Sequence, residues 1–348
     1  MTEPTVPNAD ASVAGGGTPV PSPAAPPPAP TSGPRWGDVL ATYGTALGGI
    51  AVFLVFALTA DNFLNLANQF TILRQVSFLV VFSIGFTFAL TAAELDLSFA
   101  AVASLAGVVC GGIVHHGYPW PLGVAAALAI GGVFGLANGL FVTRAKIPSL
   151  IATLATASIA SGCAFALTEG VAWVGRWDKS FLWLGRGQIG GVPVLVVWMV
   201  VVAAVALFLV RQTRFGVWLT ATGQADEAAR LAGIPIRAMK VWGLTLCGLC
   251  AGLGAALLTA SLSSAGPGSA GEFLMKGIAA VLLGMTMFEP GRANVPGTVV
   301  GALVIGVLAN GLVLVGAAYY VQEIVLGVII LASVALSAST LTKAAFTV

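Results

Sequence analysis

The chain has 348 residues, of which 58% are hydrophobic and only 8% charged, and its net charge is +2. A soluble domain carries roughly 25% charged residues, so a water-soluble fold would have too little polar surface to cover this much apolar mass. A net charge this small also gives no electrostatic footprint for nucleic acid.

Residues 1–34 hold ten of the eighteen prolines and no Lys or Arg. They read as a disordered, solvated cytoplasmic tail. The tail lacks the basic start and apolar run of a secretory signal. From Arg35 to Lys343 the composition changes to a transmembrane domain, with 344–348 as a short C-terminal tail. Apolar runs close to the ~20 residues needed to cross a bilayer fall near 38–60, 70–92, 97–114, 120–142, 149–168, 192–210, 241–262, 272–288, 295–315 and 321–340. The expectation is an all-α polytopic membrane protein, a bundle of about ten transmembrane helices. Between residues 75 and 143 there is no Lys or Arg, and the only formal charges are Glu94 and Asp96.

Orientation follows from the basic residues, which favour the cytoplasmic side. With the N-terminus inside, Arg35, Arg144, Lys146, Arg211, Arg214, Arg230, Arg237, Lys240, Arg292 and Lys343 are cytoplasmic. Arg74, Arg176, Lys179, Arg186 and Lys276 lie outside. An even number of crossings brings the C-terminus inside as well. The reading is therefore a multi-pass membrane protein, with membrane lipid as its solvent and no nucleic-acid partner.

Small residues recur at helix-contact spacing in Gly107/Gly111, Gly131/Gly135, Gly248/Gly252 and Gly297/Gly301, as expected where backbones approach closely in lipid. Cys110, Cys163, Cys247 and Cys250 lie in apolar segments and read as packing residues. The C-x-x-C of Cys247 and Cys250 has no second ligand pair for a metal. The sequence Leu136-Ala-Asn-Gly-Leu140 recurs as Leu308-Ala-Asn-Gly-Leu312. Five spans apart, the copies would run in opposite directions, as in two inverted five-helix halves.

Polar exceptions carry the candidate chemistry. Asp96 can cap the third span through free amides at its start, or contact solute and gate a path at the membrane boundary. Glu94 and Ser98 lie beside it. Asn138 and Asn310 can bond neighbouring helices or the hydroxyls of a solute. His115 and His116 fall in an outer loop, and Trp173, Trp177 and Trp183 fall in a second, where tryptophan anchors at the interface or a partner docks. The most charged internal segment is a cytoplasmic loop at 211–240, in which a short helix near 224–231 is expected: Asp226 and Glu227 suit its first turn, Arg230 its last, and Gly233 with Pro235 its end.

The stretch Gly223-Gln-Ala-Asp-Glu-Ala-Ala-Arg-Leu-Ala-Gly-Ile234 resembles the cytoplasmic segment of ribose-type permeases, the membrane subunits of bacterial monosaccharide importers of the ATP-binding-cassette class. In the same order, Glu94-Leu-Asp-Leu-Ser98, Ile147-Pro-Ser-Leu-Ile-Ala-Thr-Leu154 and Gly284–Gly297 resemble further motifs of that family, so the resemblance runs from about Asn65 to Ser337. It implies a permease for a monosaccharide or related small polar solute, working beside a second permease copy or homologue. It also implies a cytoplasmic ATPase subunit and a periplasmic solute-binding protein as partners. Gly223, Asp226, Glu227, Ala228, Ala229, Arg230 and Gly233 would then form a coupling helix on the ATPase, and Glu94, Asp96, Ser98, Asn138 and Asn310 a translocation path or gate. No G-x-x-x-x-G-K-[ST] motif occurs, so the expectation is a non-enzymatic subunit with no cofactor of its own, ATP and Mg²⁺ belonging to the ATPase. Glu94 and Glu289 depart from the family pattern, which has small residues there. A proton-coupled secondary transporter using Glu94 or Asp96 is the alternative reading.

Overall fold

The computed structural model describes residues 36–345, with side chains over 46–335. The expected N-terminal tail lies outside the described residues. Helices run in the order α1 (Trp36–Thr59), α2 (Leu66–Thr91), α3 (Phe99–His115), α4 (Trp120–Thr143), α5 (Ser149–Thr168), α6 (Lys179–Arg186), α7 (Val194–Gln212), α8 (Arg214–Gln224), α9 (Asp226–Leu231), α10 (Ile236–Leu262), α11 (Phe273–Gly284), α12 (Val295–Leu314) and α13 (Tyr319–Ala345). Strands among the described residues are two-residue pieces. β1 (Trp173–Val174) pairs antiparallel with β4 (Ser264–Ala265), and β2 (Gln188–Ile189) with β3 (Val192–Pro193).

The chain is thus an all-helical membrane protein. Six helices, α2, α4, α5, α7, α10 and α12, are long and apolar enough to cross a bilayer, and shorter apolar helices span 46–59, 99–115, 273–284 and 319–335. Proline marks the starts: Pro119 and Pro121 at α4, Pro148 at α5, Pro193 at α7, Pro235 at α10 and Pro296 at α12. A missing amide costs nothing in a first turn, where that donor has no helical partner. Within the spans, hydroxyls such as those of Thr87, Thr91, Ser104 and Thr143 donate to the carbonyl four residues back, which satisfies them where no water reaches.

The segment 211–240 holds more helix than its charge suggests. Thr213 caps α8 by accepting from the Gly216 amide at 3.3 Å. Ala225, at φ −153° and ψ 75°, then breaks the chain direction, so the short helix starts at Asp226 rather than Gln224. At the other terminus α13 runs on through Ala345, into the expected tail, because no glycine or proline interrupts 337–345.

α10 is the central strut, packed against α2, α3, α4, α6 and α8. Its face toward α4 is made of glycine: a methyl group on Gly131 would lie 2.0 Å from the Gly248 carbonyl oxygen, and one on Gly252 2.3 Å from that of Ala127. The packing has a counterpart. α4 packs on α10 and α3 as α12 packs on α2 and α11, while α5 meets α3 as α13 meets α11. Both long helices also end in a non-glycine residue at positive φ, Ala93 at 57° after α2 and Ser263 at 51° after α10.

Gly131→Ile should push α4 off α10, costing at least the ~1–3 kcal/mol typical of overpacking. Fluorescence-detected size-exclusion after heating should show a lower melting midpoint, whereas Gly162→Ala, where the added methyl meets nothing within 4 Å, should leave it unchanged.

Candidate functional site

At the end of α2 the chain turns at Ala92 and Ala93, then runs without regular structure from Glu94 to Ser98 before α3 begins. Non-helical backbone inside an apolar bundle needs partners for its amides. α5 supplies them: Ser149 Oγ accepts from the Leu95 amide at 3.2 Å, and Thr153 Oγ1 accepts from the Leu97 amide at 3.2 Å while approaching the Leu95 carbonyl at 3.3 Å. Asp96, 1% exposed, turns back on its own chain, its Oδ1 accepting from the Ser98 amide at 2.8 Å and hydroxyl at 2.6 Å. Asp96 thus holds the residue that precedes α3 rather than the helix's own first amides.

From Ser98 the network continues outward. Asn138 Nδ2 of α4 donates to Ser98 Oγ at 2.9 Å, and Thr156 of α5 donates to Asn138 Oδ1 at 2.8 Å. Asp96, Ser98, Asn138 and Thr156 thus join the start of α3 to α4 and α5 through side chains that are all buried. Cys247, halfway along α10, is within hydrogen-bonding reach of Asp96. Seven residues separate Cys247 from Lys240, about 10 Å of rise, so the connector climbs into the bundle beside α10.

Glu94 marks its lower end. Its carboxylate accepts from Lys240 Nζ at 2.8 Å, and the same ammonium lies 3.8 Å from Asp226 Oδ2 of α9. Glu94 is 6% exposed. The carboxylate that departs from the family pattern therefore ties the connector to α10 and, through Lys240, to the short helix outside. Gly223 makes a second link: a methyl there would lie 2.1 Å from the Thr91 carbonyl oxygen, so the end of α8 rests on the end of α2. Gly223 acts by close approach, and its side of α8 is not free surface.

α9 itself is presented outward. Of its residues only Ala229 is buried. Glu227 and Arg230 form an exposed pair at 3.5 Å, Ala228 is exposed, and Leu231, 83% exposed, projects from a charged helix. Gly233, at φ 79°, turns the chain into Pro235 and α10. Beside this lies a cleft of about 390 Å³ lined in part by Thr91, Arg211, Gly223, Gln224, Glu289 and Arg292. Asn294, which also lines this cleft, caps α12, its Oδ1 accepting from the Gly297 amide at 2.7 Å.

Asn310 stands apart from the other four gate candidates. It exchanges two 3.0 Å hydrogen bonds with Asn68 of α2 and lines a cleft of about 510 Å³ that also holds Gln75, Glu272, Lys276 and Gln322. The two Leu-Ala-Asn-Gly-Leu copies hence place their asparagines in separate polar clusters. Trp177, read as interfacial, is 7% exposed and would touch a methyl on Gly111, so it packs inside. Trp173 stacks on His115.

Sequence reading missed Ser149 and Thr153 as partners of the connector and Thr156 as a partner of Asn138, and gave Lys240 no role beyond its charge. A signal was present: the three hydroxyls recur at i, i+4 and i+7, one helical face. Asn138→Leu should leave Ser98 and Thr156 short of a partner and lower stability by about 0.6–2 kcal/mol, the range for polar contacts between membrane helices. Asn310→Leu should cost a similar amount, and the double variant should show additive losses in a melting assay because the two clusters share no partner.

Comparison with known proteins agrees with this architecture. Residues 68–334 match the family model described as "Branched-chain amino acid transport system / permease component". The ribose import permease protein RbsC of Escherichia coli (strain K12) is 34% identical over 291 residues, covering 82% of this chain and 91% of its own. RbsC of Bacillus subtilis (strain 168) is 34% identical over 299 residues, covering 86% and 93%. The L-arabinose ABC transporter permease protein AraH of Azospirillum brasilense is 31% identical over 308 residues, covering 88% and 90%. With the family model spanning most of the bundle and such relatives matched over nearly their whole lengths, the chain belongs to the branched-chain amino acid transport system / permease component family and is the membrane-spanning permease subunit of an ATP-binding-cassette importer.

Proposed function

We propose that this permease carries a monosaccharide or related small polar solute across the bacterial inner membrane, driven by a cytoplasmic ATPase that docks on α9. The observation that carries the reading is the link from exposed helix to buried connector: Asp226 to Lys240 to Glu94, with Gly223 seated on Thr91. A push on α9 has a direct mechanical route to the segment Glu94–Ser98 between α2 and α3. Such coupling needs two sites and an element that both bias, and the connector is that element. The ribose and arabinose permeases among its relatives support a sugar as the solute.

In this reading ten apolar helices cross the membrane, the six long ones and the four shorter ones. They form two inverted halves related by exchange of α2–α5 with α10–α13, and both termini are cytoplasmic. The exchanged packing pairs and the matched positive-φ turns support this. Basic residues assigned to the cytoplasm, Arg144, Lys146, Arg211, Arg230, Arg237, Lys240 and Arg292, line clefts around the 211–240 segment, whereas Arg176 and Lys276 line clefts elsewhere. A binding protein delivers solute on the opposite face, and a second permease copy or homologue completes the path. Asp96, Ser98 and Asn138 act as the gate's frame, and Asn68 and Asn310 as its outer counterpart. ATP and Mg²⁺ are held by the ATPase.

Asp96 favours one rival, a proton-coupled carrier, because it is a buried carboxylate with no ion-pair partner among the described residues. Proteoliposomes holding the permease with its ATPase and binding protein separate the two. Uptake that needs ATP and survives a protonophore supports the importer; uptake by the permease alone, abolished by the protonophore, overturns it.

Within that system, Glu227→Lys with Leu231→Glu should lower ATP-driven uptake on the order of 10-fold or more while insertion stays normal. Glu94→Gln and Lys240→Met should each reduce uptake per ATP hydrolysed, and the double variant should be no worse than the weaker single one, as for partners in a single interaction. Fully additive losses would show that the pair does not transmit the push.

A further inference from the structure

Outside the site, an apolar groove of about 830 Å³ runs between α4 and α10, lined among others by Gly132, Val133 and Leu136 on one side and Val241, Trp242 and Leu249 on the other. At the end nearest the 211–240 segment its lining finishes in Arg144 and Arg237, both exposed. Neither arginine has a carboxylate within ion-pair distance among the described residues, whereas neighbouring Lys240 is already engaged by Glu94 and Asp226.

The matching face in the other part of the bundle is covered. There α1 packs on α12, with Gly49 against Val304 and Phe56 against Gly311, and α7 packs on α2. Over α4 and α10 the described helices leave Val133 63%, Leu136 43% and Trp242 52% exposed.

We propose that this groove is a binding site for an anionic phospholipid, its acyl chains lying against α4 and α10 and its phosphate held by Arg144 and Arg237. The dimensions suit it. From Leu128 to Arg144 the lining rises about 24 Å, more than the ~15 Å of one leaflet of hydrocarbon, so the groove reaches from the mid-plane to headgroup level. The chemistry suits it too. Arginine pairs bidentately with phosphate, basic pockets between membrane helices at the cytoplasmic face bind anionic headgroups, and Trp242 near that rim is the residue type that settles at headgroup depth. A second copy is a poor occupant. A two-fold axis along the membrane normal brings a patch against itself and would set Arg144 and Arg237 beside their own copies.

Native mass spectrometry of the full chain in detergent, titrated with phosphatidylglycerol or phosphatidylcholine of identical chains, tests this. Phosphatidylglycerol should bind on the order of 10-fold more tightly, the preference two surface arginines supply. Arg144→Gln with Arg237→Gln should bring it down to the phosphatidylcholine level. Val133→Trp, which fills the groove with both arginines intact, should also weaken phosphatidylglycerol. Millimolar inorganic phosphate should not displace the lipid; displacement would mean a free-anion site and overturn the proposal. An undiminished preference for phosphatidylglycerol in the double arginine variant overturns it as well. So does conversion of a dimer to monomer by Val133→Trp with lipid binding unchanged, which would assign the groove to a second copy.

Discussion

Backbone hydrogen bonding is the constraint on which this structure turns. An amide buried in hydrocarbon without a partner costs several kcal/mol, so every stretch that leaves the helical path must be supplied with donors and acceptors from elsewhere. The Glu94–Ser98 connector leaves that path within the bundle. The side chains that satisfy it, Ser149 and Thr153 from α5 and Asp96 from the connector itself, are the same ones that fix its position relative to α3, α4 and α5. Satisfaction and positioning are one arrangement here, and any motion of the connector has to break or exchange these bonds.

That arrangement explains why a charge can be placed beside it. Glu94 is almost fully buried, and a lone carboxylate there would be strongly unfavourable. Lys240 supplies the compensation from the first turns of α10 and keeps enough exposure to meet Asp226 as well. Here the buried carboxylate and Lys240 make a directed contact between the connector and α10.

Much of the fold was legible in the sequence, because in lipid the apolar runs themselves trace the helices and prolines mark where they begin. The glycine pairs were legible as sites of close helix packing, though not which pair meets which: Gly131 lies against Gly248. What stayed hidden was long-range partnership. Asn138 and Asn310 sit in identical pentapeptides, yet one bonds Ser98 and Thr156 and the other bonds Asn68. Helical period shows that a polar side chain lies on a given face; it does not show which helix that face meets. In the 211–240 segment the short helix was legible, within about two residues of α9, and α8 was not. Its charges marked the exposed end, while α8 is held by a threonine cap and by close contact at Gly223, neither of which charge pattern reveals.

The two faces of α10 carry opposite tasks, and this separates the candidate coupling route from the candidate lipid site. On the connector side, Lys240 and Cys247 face Glu94 and Asp96. On the α4 side, Gly248 and Gly252 lock against Gly131 and Ala127 with no room for a methyl group, a contact too tight to slide. α10 is thus tightly packed on one side and engaged by charge on the other. Lipid held in the groove between α4 and α10 would stiffen that packing from outside, so the bilayer's composition would act on the same helix that Lys240 links to α9.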